Sequence, residues 1–256
     1  MKLNKLLNKD SKVLFKVLTE AVNEYELDTH PFIKHFAAGC FSQEAIRWWA
    51  MKMLPGSNRF NQAFLKVASR MEDYRSRVVM LRNIYSEHGE LNPENAHVAL
   101  FMRFMQGIHC LRIDVNEDDG AYAIPELRFK RFEFQDDEPM LRSLGRFAAI
   151  EVVLPSIFTQ YIEGLRTAFP GISDRTIEYF LVHCELDPTH TAELVEVASL
   201  YVQSEADIGI FRAGVEDMLR SISDMFSWMN LHMEKEINSQ ISGATSTQAV
   251  SYTPAS

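Results

Sequence analysis

Cysteine is scarce in this chain, with three residues in 256, at Cys40, Cys110 and Cys184. An odd, scattered set of thiols builds no disulfide framework and offers no pair at zinc-ligand spacing, so the chain reads as a reduced, cytoplasmic protein. A basic excess is missing too. The formal net charge of −9 argues against nucleic acid or an anionic membrane as main partner, because both demand a positive footprint. No apolar run approaches the roughly 20 residues that span a bilayer. The opening MKLNKLLNKDSK starts positive, but Asn4, Lys5 and Asn8 break its apolar stretch, which is not the pattern of a signal peptide. Internal repeats and interdomain linkers are absent as well.

What is present is helical periodicity. Hydrophobic residues at 46% and charged residues at 24% are globular proportions, enough for a sizeable core. Val13, Leu14, Val17, Leu18, Ala21, Val22 and Tyr25 form one apolar stripe behind a cap at Asp10 or Ser11. A helix from Ser42 is expected to stop at Pro55-Gly56-Ser57. Others are expected at 58–71, 73–88 and 94–109, the last introduced by Asn92 and Pro93. Residues 111–136 are the main irregular stretch and end in LRFKRFEF, whose alternation suits a short strand. A long helix follows at 138–168, with Pro155 expected to kink it or begin a new segment. Helices at 174–186, 188–204 and 206–236 complete the pattern. The class is all-α, with an N-terminal helix in 1–27, a single main domain in 28–236 and a small, polar, disordered tail in 237–256.

Ionisable residues fall where that periodicity calls for core. Glu151 shares its face with Phe147, Ala148 and Leu154, and His97 shares its own with Leu100, Phe101 and Phe104. Glu87 closes an apolar helix, and His183 follows Tyr179 and Phe180. His183, Asp187 and His190 would lie at about 0°, 40° and −20° around a continuous helix, although Pro188 disfavours helical backbone at Asp187. Each residue has a plainer explanation. Buried histidines are usually hydrogen-bonded core groups, Glu151 could pair with Arg103 or Arg146, and Asp187 before Pro188 is a ready N-cap. Together they are harder to leave without a cation, since unpaired buried charges cost several kcal/mol each. Two divalent ions would neutralise them. Glutamates and histidines on facing helices hold di-iron and di-manganese centres, and mixed imidazole and carboxylate ligands suit iron or manganese.

The ordered set Glu87, His97, Glu151 and His183-x3-Asp187-x2-His190 resembles the haem-oxygenase-like di-iron oxidases and oxygenases. The stretches NIYSEHG, HVALFMRF, EVVLPSIFTQYIEGL and IEYFLVHCELDPTH carry the likeness. HPFIKHFAAGCFSQEAIRWW is similar to the first helices of the wider superfamily of TenA-like (thiaminase-like) and pyrroloquinoline-quinone-synthase-like proteins. The likeness covers residues 28 to 205. It implies a haem-oxygenase-like bundle of about seven helices around two iron ions, with manganese also suited and O2 as co-substrate. By position, Glu87, His97 and His190 would hold one iron, and His183 and Asp187 the other, with Glu151 completing or bridging the site. Glu90 is a rival to Glu87.

The likeness further implies hydrogen abstraction, C–C cleavage with decarboxylation, or N-oxygenation of a small amino acid or a fatty or other carboxylic acid. An electron donor and a homodimer are both compatible with it. Some relatives consume one of their own tyrosines; Ile33 at the matching place after HPF speaks against that route. Arg103, Arg146 and Lys52 are candidates to meet a substrate carboxylate. Trp48, Trp49, Phe60 and Phe64 either line a pocket or simply fill core. Two other readings stay open: a metal-free thiaminase-like hydrolase or cofactorless oxidase, which needs a cysteine beside a base, and a non-enzymatic helical interaction protein.

Overall fold

A computed structural model describes residues 9–110 and 134–247. Among the described residues there are eight α-helices, one more than the resemblance implies, and no strand. They are α1 (Lys9–Tyr25), α2 (Pro31–Ala37), α3 (Gln43–Ser69), α4 (Tyr74–Glu87), α5 (His97–Gly107), α6 (Met140–Ala168), α7 (Glu178–Ser199) and α8 (Glu205–Thr247). The alternating stretch suggested as a strand lies outside the described residues except for Phe134. α8 runs through Thr247, so helix covers the first part of the segment read as a tail, and residues 248–256 lie outside the described residues.

Short polar signals fix where helices begin. His30 Nδ1 accepts from the Phe32 N–H at 3.2 Å while Pro31 occupies the first turn of α2, so the HPF motif is a helix-starting device. Ser42 Oγ accepts from the Ala45 N–H at 3.1 Å to open α3, and Asp73 accepts from the Ser76 N–H at 2.7 Å to open α4.

α6 lies at the centre, packed along both α7 and α8. Its approach to α8 is close enough that a Cβ on Gly145 would meet the Phe211 carbonyl oxygen at 2.3 Å, and one on Gly214 the Arg142 carbonyl oxygen at 2.1 Å. α1 joins the same core, with Leu14, Leu18 and Ala21 fully buried. An aromatic layer of Phe36, Trp49 and Tyr161, with ring centroids 4.6 to 4.9 Å apart, ties α2 and α3 to α6. Such pairs add about 0.5–1.5 kcal/mol each beyond their buried area.

Two expected breaks do not occur: α3 is continuous through Pro55 and α7 through Pro188. α6 is the long helix expected at 138–168, and it too runs through its proline, Pro155, with no new segment. A proline inside a helix removes one hydrogen bond and costs about 3 kcal/mol or more. Burial outweighs that here: Pro55 is itself buried, and all three helices bury apolar residues on both sides of the proline. None of the described helices is long and apolar enough to cross a membrane.

Candidate metal centre

The end of α4 and the start of α5 are brought together by a tight left-handed turn. Gly89, Glu90 and Leu91 all have positive φ, at 62°, 56° and 67°. A Cβ on Gly89 would lie 2.3 Å from the Asn95 backbone carbonyl carbon and 2.4 Å from the Ala96 nitrogen, so glycine alone allows this approach. The turn sets Glu87, the last residue of α4, against His97, the first of α5. Their atoms Oε1 and Nδ1 are 3.0 Å apart. Glu90, the rival ligand, is exposed on the turn.

All six expected residues converge in the interior. Glu151 comes from the middle of α6, and His183, Asp187 and His190 share one face of α7. None is more than 5% exposed, and Asp187 is fully enclosed. His97 Nδ1 lies 3.1 Å from His183 Nε2. His183 Nδ1 is 2.6 Å from the Tyr179 carbonyl oxygen and donates to it, which leaves Nε2 as a lone pair aimed at Glu87 and His97. On the other side, Glu151 Oε2 and His190 Nδ1 are 3.6 Å apart, beyond hydrogen-bond reach.

Two groups of possible ligand atoms result, each with its atoms within 4.8 Å of one another: Glu87, His97 and His183, and Glu87, Glu151 and His190. This differs from the division drawn from the resemblance, which paired His190 with His97 and His183 with Asp187. Glu87 is shared, because its place at the α4 terminus faces both α6 and α7. Asp187 belongs to neither compact group, yet it is no helix cap either. α7 continues through it, and both carboxylate oxygens are buried without a hydrogen-bond partner. Glu151 Oε2 and His190 Nδ1 are likewise buried and unpartnered.

The titration of these groups records the same imbalance. Burial pushes the Asp187 carboxyl well above its ordinary value, and the Glu151 and Glu87 carboxylates push it further. Burial also raises Glu151, only partly offset by His190. Burial would raise Glu87 too, but His97 outweighs it and holds the carboxyl at about 2. Burial and the neighbouring His97 drop His183 to about 4. His190 is raised, since Glu151 outweighs the effect of burial. Three buried carboxylates with oxygens that no protein group satisfies, together with three imidazoles, form a donor set suited to a cation. Iron or manganese fits it in ligand type, and facing helices are the usual scaffold.

The chain matches the family of iron-containing redox enzymes over residues 47–221. It belongs to that family. The matched span contains all six residues of the centre, and the chain is therefore an iron-containing oxidoreductase. It is 22% identical over 213 residues to a 4-aminobenzoate synthase of Chlamydia pneumoniae, covering 83% of this chain and 92% of the relative. Its fold is similar to that of a CADD-like protein of unknown function from Nostoc punctiforme, with TM-score 0.71, 15% identity, and 88% of this chain and 99% of the other covered. It is also similar to a domain of unknown function with a haem-oxygenase-like fold from Shewanella denitrificans, with TM-score 0.60, 15% identity and 99% of both chains covered. The architecture is thus haem-oxygenase-like.

A cavity of about 80 Å³ adjoins the centre. Glu87, Glu151 and His183 face it, with Ser57 and Tyr179 beside them. The rest of its wall is apolar, from α3, α5, α6, α7 and α8. Of the aromatic candidates, Trp49 and Phe60 line it. Trp48 instead stacks on Trp228 at 5.4 Å, and Phe64 packs on Phe147 at 4.6 Å. The candidate cations do not reach it. Arg103 pairs with Glu178, Arg146 pairs with Glu138 at 3.3 Å, and Lys52 lies 5.8 Å over the Trp48 ring.

Sequence reasoning missed Tyr179, Phe158 and the α8 residues Ile222, Met225 and Phe226. Tyr179 had a signal, being one helical turn before His183. The α8 residues had none, because their neighbours come from helices far away in the chain. Burial pushes Cys110 up to about 11 and raises Cys184, whose thiol donates to the Pro155 carbonyl at 3.6 Å, so neither of these two thiols is activated as a nucleophile.

Proposed function

We propose that the chain is a non-haem di-iron, O2-dependent oxidase or oxygenase acting on a small amino acid or carboxylic acid. The observation that carries this reading is the buried set of six ligand-type residues in which Asp187 and Glu151 keep carboxylate oxygens without partners. Glu87 would bridge. His97 and His183 would complete one position, and Glu151 and His190 the other, with Asp187 closing the ligand set beside Glu151. Bound iron would supply the redox chemistry and O2 activation that side chains lack.

The remaining work falls to the protein. The Tyr179 carbonyl fixes the His183 tautomer, so that Nε2 stays available. The apolar wall excludes water and holds the substrate against Glu87, Glu151 and His183. Glu151, with its raised carboxyl, can hold a proton at Oε2 whenever that oxygen is free of metal. Reduction between turnovers would come from an external electron donor. Although a relative is named for 4-aminobenzoate, Ile33 is fully buried in α2 at the place matching the tyrosine of the self-consuming route, so the chain turns over a separate substrate.

Glu151→Gln keeps shape and removes charge. It should cut O2 consumption by the anaerobically iron-loaded, reduced protein by about 100-fold, in the range for a lost metal ligand or its support, while far-ultraviolet circular dichroism stays at wild type. Undiminished O2 uptake would remove Glu151 from the centre.

A further inference from the structure

A helix on a protein surface normally turns its apolar face inward and its polar face to water. α4 does not. Its buried residues are Ser76, Met80, Asn83, Ile84 and Glu87, three of them polar. Facing out instead are Tyr74, Val78, Leu81 and Tyr85, each 45–61% exposed. At 100° per residue these four stand at about 0°, 40°, −20° and 20°, one stripe along the helix. The remaining exposed positions of α4 are Arg75 and Arg82. Scattered apolar residues on a surface are ordinary, whereas a continuous patch rimmed by charge marks an interaction site. Tyrosine and arginine are the residue types enriched at such sites.

The chain carries a net charge of −9, yet α4 exposes no acid. Arg82 pairs with Glu193 at 2.9 Å. Arg75 donates to the Tyr74 hydroxyl at 3.1 Å, and Arg77 to the Met71 and Glu72 carbonyls, so neutral groups orient both. Asp73, the acid nearest to Arg75 along the chain, is engaged by the Ser76 N–H and hydroxyl at 2.7 and 2.9 Å. Charges act over roughly 8 Å at physiological ionic strength, so these arginines, and not the net charge of the molecule, set what approaches the stripe. Two copies of the stripe would bring arginines against arginines. An acidic surface with an apolar centre fits it instead.

We infer that this face of α4 docks a small acidic one-electron carrier protein, the donor that returns the iron to its reduced state. The inference rests on the metal centre proposed above. One helix joins the two: outward Tyr85 precedes by two positions Glu87, the inward carboxylate common to both ligand groups. In each encounter one electron leaves the reduced centre of the carrier and converts one ferric ion to ferrous. The carrier departs oxidised, and two encounters reset both ions. Carriers of this kind bind through small, transient interfaces that charge steers and that release quickly. Four apolar side chains beside uncompensated arginine suit that use.

The probe is a plant-type [2Fe–2S] ferredoxin, and the proteins are wild type, Arg75→Glu and Leu81→Glu, each checked by circular dichroism. Oxidised ferredoxin is titrated calorimetrically into iron-loaded and into metal-free protein at low and high salt. Reduced ferredoxin is then mixed anaerobically with the ferric protein, and its oxidation is followed by absorbance. Arg75→Glu should weaken binding about fivefold, by removing one attraction and adding one repulsion, and high salt should weaken wild type too. Leu81→Glu should weaken it at least about tenfold, since an acid replaces an apolar contact. Electron transfer should slow in the same order, while dithionite, which needs no docking surface, reduces all three proteins alike. Ferredoxin that does not bind wild type, or binds all three equally, overturns the inference. A wild-type dimer that Leu81→Glu dissociates also overturns it, because the stripe then belongs to a second copy. Equal slowing with dithionite places the defect in the centre and counts against it as well. Protein that takes up iron and is reduced by dithionite but not by ferredoxin sinks this inference alone. Protein that takes up no iron yet binds ferredoxin with the stated dependence on Arg75 and Leu81 sinks the metal centre and leaves the docking surface standing.

Discussion

The two sides of the metal centre differ in how far the protein satisfies its own polar groups. On the His97 side every ring nitrogen that faces inward has a partner: His97 Nδ1 meets Glu87 at 3.0 Å and His183 Nε2 at 3.1 Å, and the far nitrogen of His183 donates to the Tyr179 carbonyl. On the His190 side Glu151 Oε2, both oxygens of Asp187 and His190 Nδ1 are buried with none. The first side is organised before metal arrives. The second is held in place by surrounding packing against its own electrostatics, and a cation there relieves the larger penalty. Residues that look equivalent in a ligand motif therefore contribute to metal-free stability with opposite signs.

The largest break in this contrast is Glu87→Ala. Because Glu87 is common to both ligand groups, iron content should fall from about two per chain towards zero. His97 also loses its charged partner and keeps only His183, so the metal-free protein should lose about 1–3 kcal/mol of stability by urea unfolding. Asp187→Ala should move stability the other way. Removing a buried carboxylate with no partner should leave the metal-free protein as stable as wild type or more so, by up to about 2 kcal/mol, while metal affinity falls 10–100-fold or more, as for lost ligand support. Clear destabilisation of the metal-free protein by Asp187→Ala would show that the carboxylate has a protein partner after all.

Acid separates the sides more gently. His183 falls from 6.5 to about 4 on folding, because burial and His97 disfavour its charged form. The unfolded chain thus binds more protons between those two values, and stability contributed by the neutral ring is lost as pH falls from 6.5 towards 4. The metal-free protein should weaken across that window by an amount on the order of 3 kcal/mol from this group. His183→Gln should flatten the slope in unfolding measurements made at successive pH values. An unchanged slope would assign it to another group.

Much of this was legible in the sequence, and the parts that were not share a cause. Helical periodicity marked α1 and α6, and apolar neighbours around Glu151, His97 and His183 marked those groups as buried before any coordinates. The spacing of His183, Asp187 and His190 placed them on one face provided that the helix ran through Pro188, which it does. Local rules put breaks at Pro55 and Pro188, and tertiary burial overrode both, because the packing of long apolar faces outweighs one lost hydrogen bond. The division of ligands between two positions was illegible for a different reason. It depends on how the α4–α5 turn at Gly89 aims Glu87 between α6 and α7, a relation between helices that no spacing along one helix records. The cavity wall from α8 was hidden in the same way, as was the choice of Trp49 over its neighbour Trp48.

Iron per chain after anaerobic loading with Fe(II), in wild type and in His183→Ala, tests the centre most directly. The account expects about two in wild type and about one in the variant, since His183 serves only the Glu87–His97 position of a two-metal site. A wild-type value near zero, or a variant that binds as much iron as wild type, would contradict it.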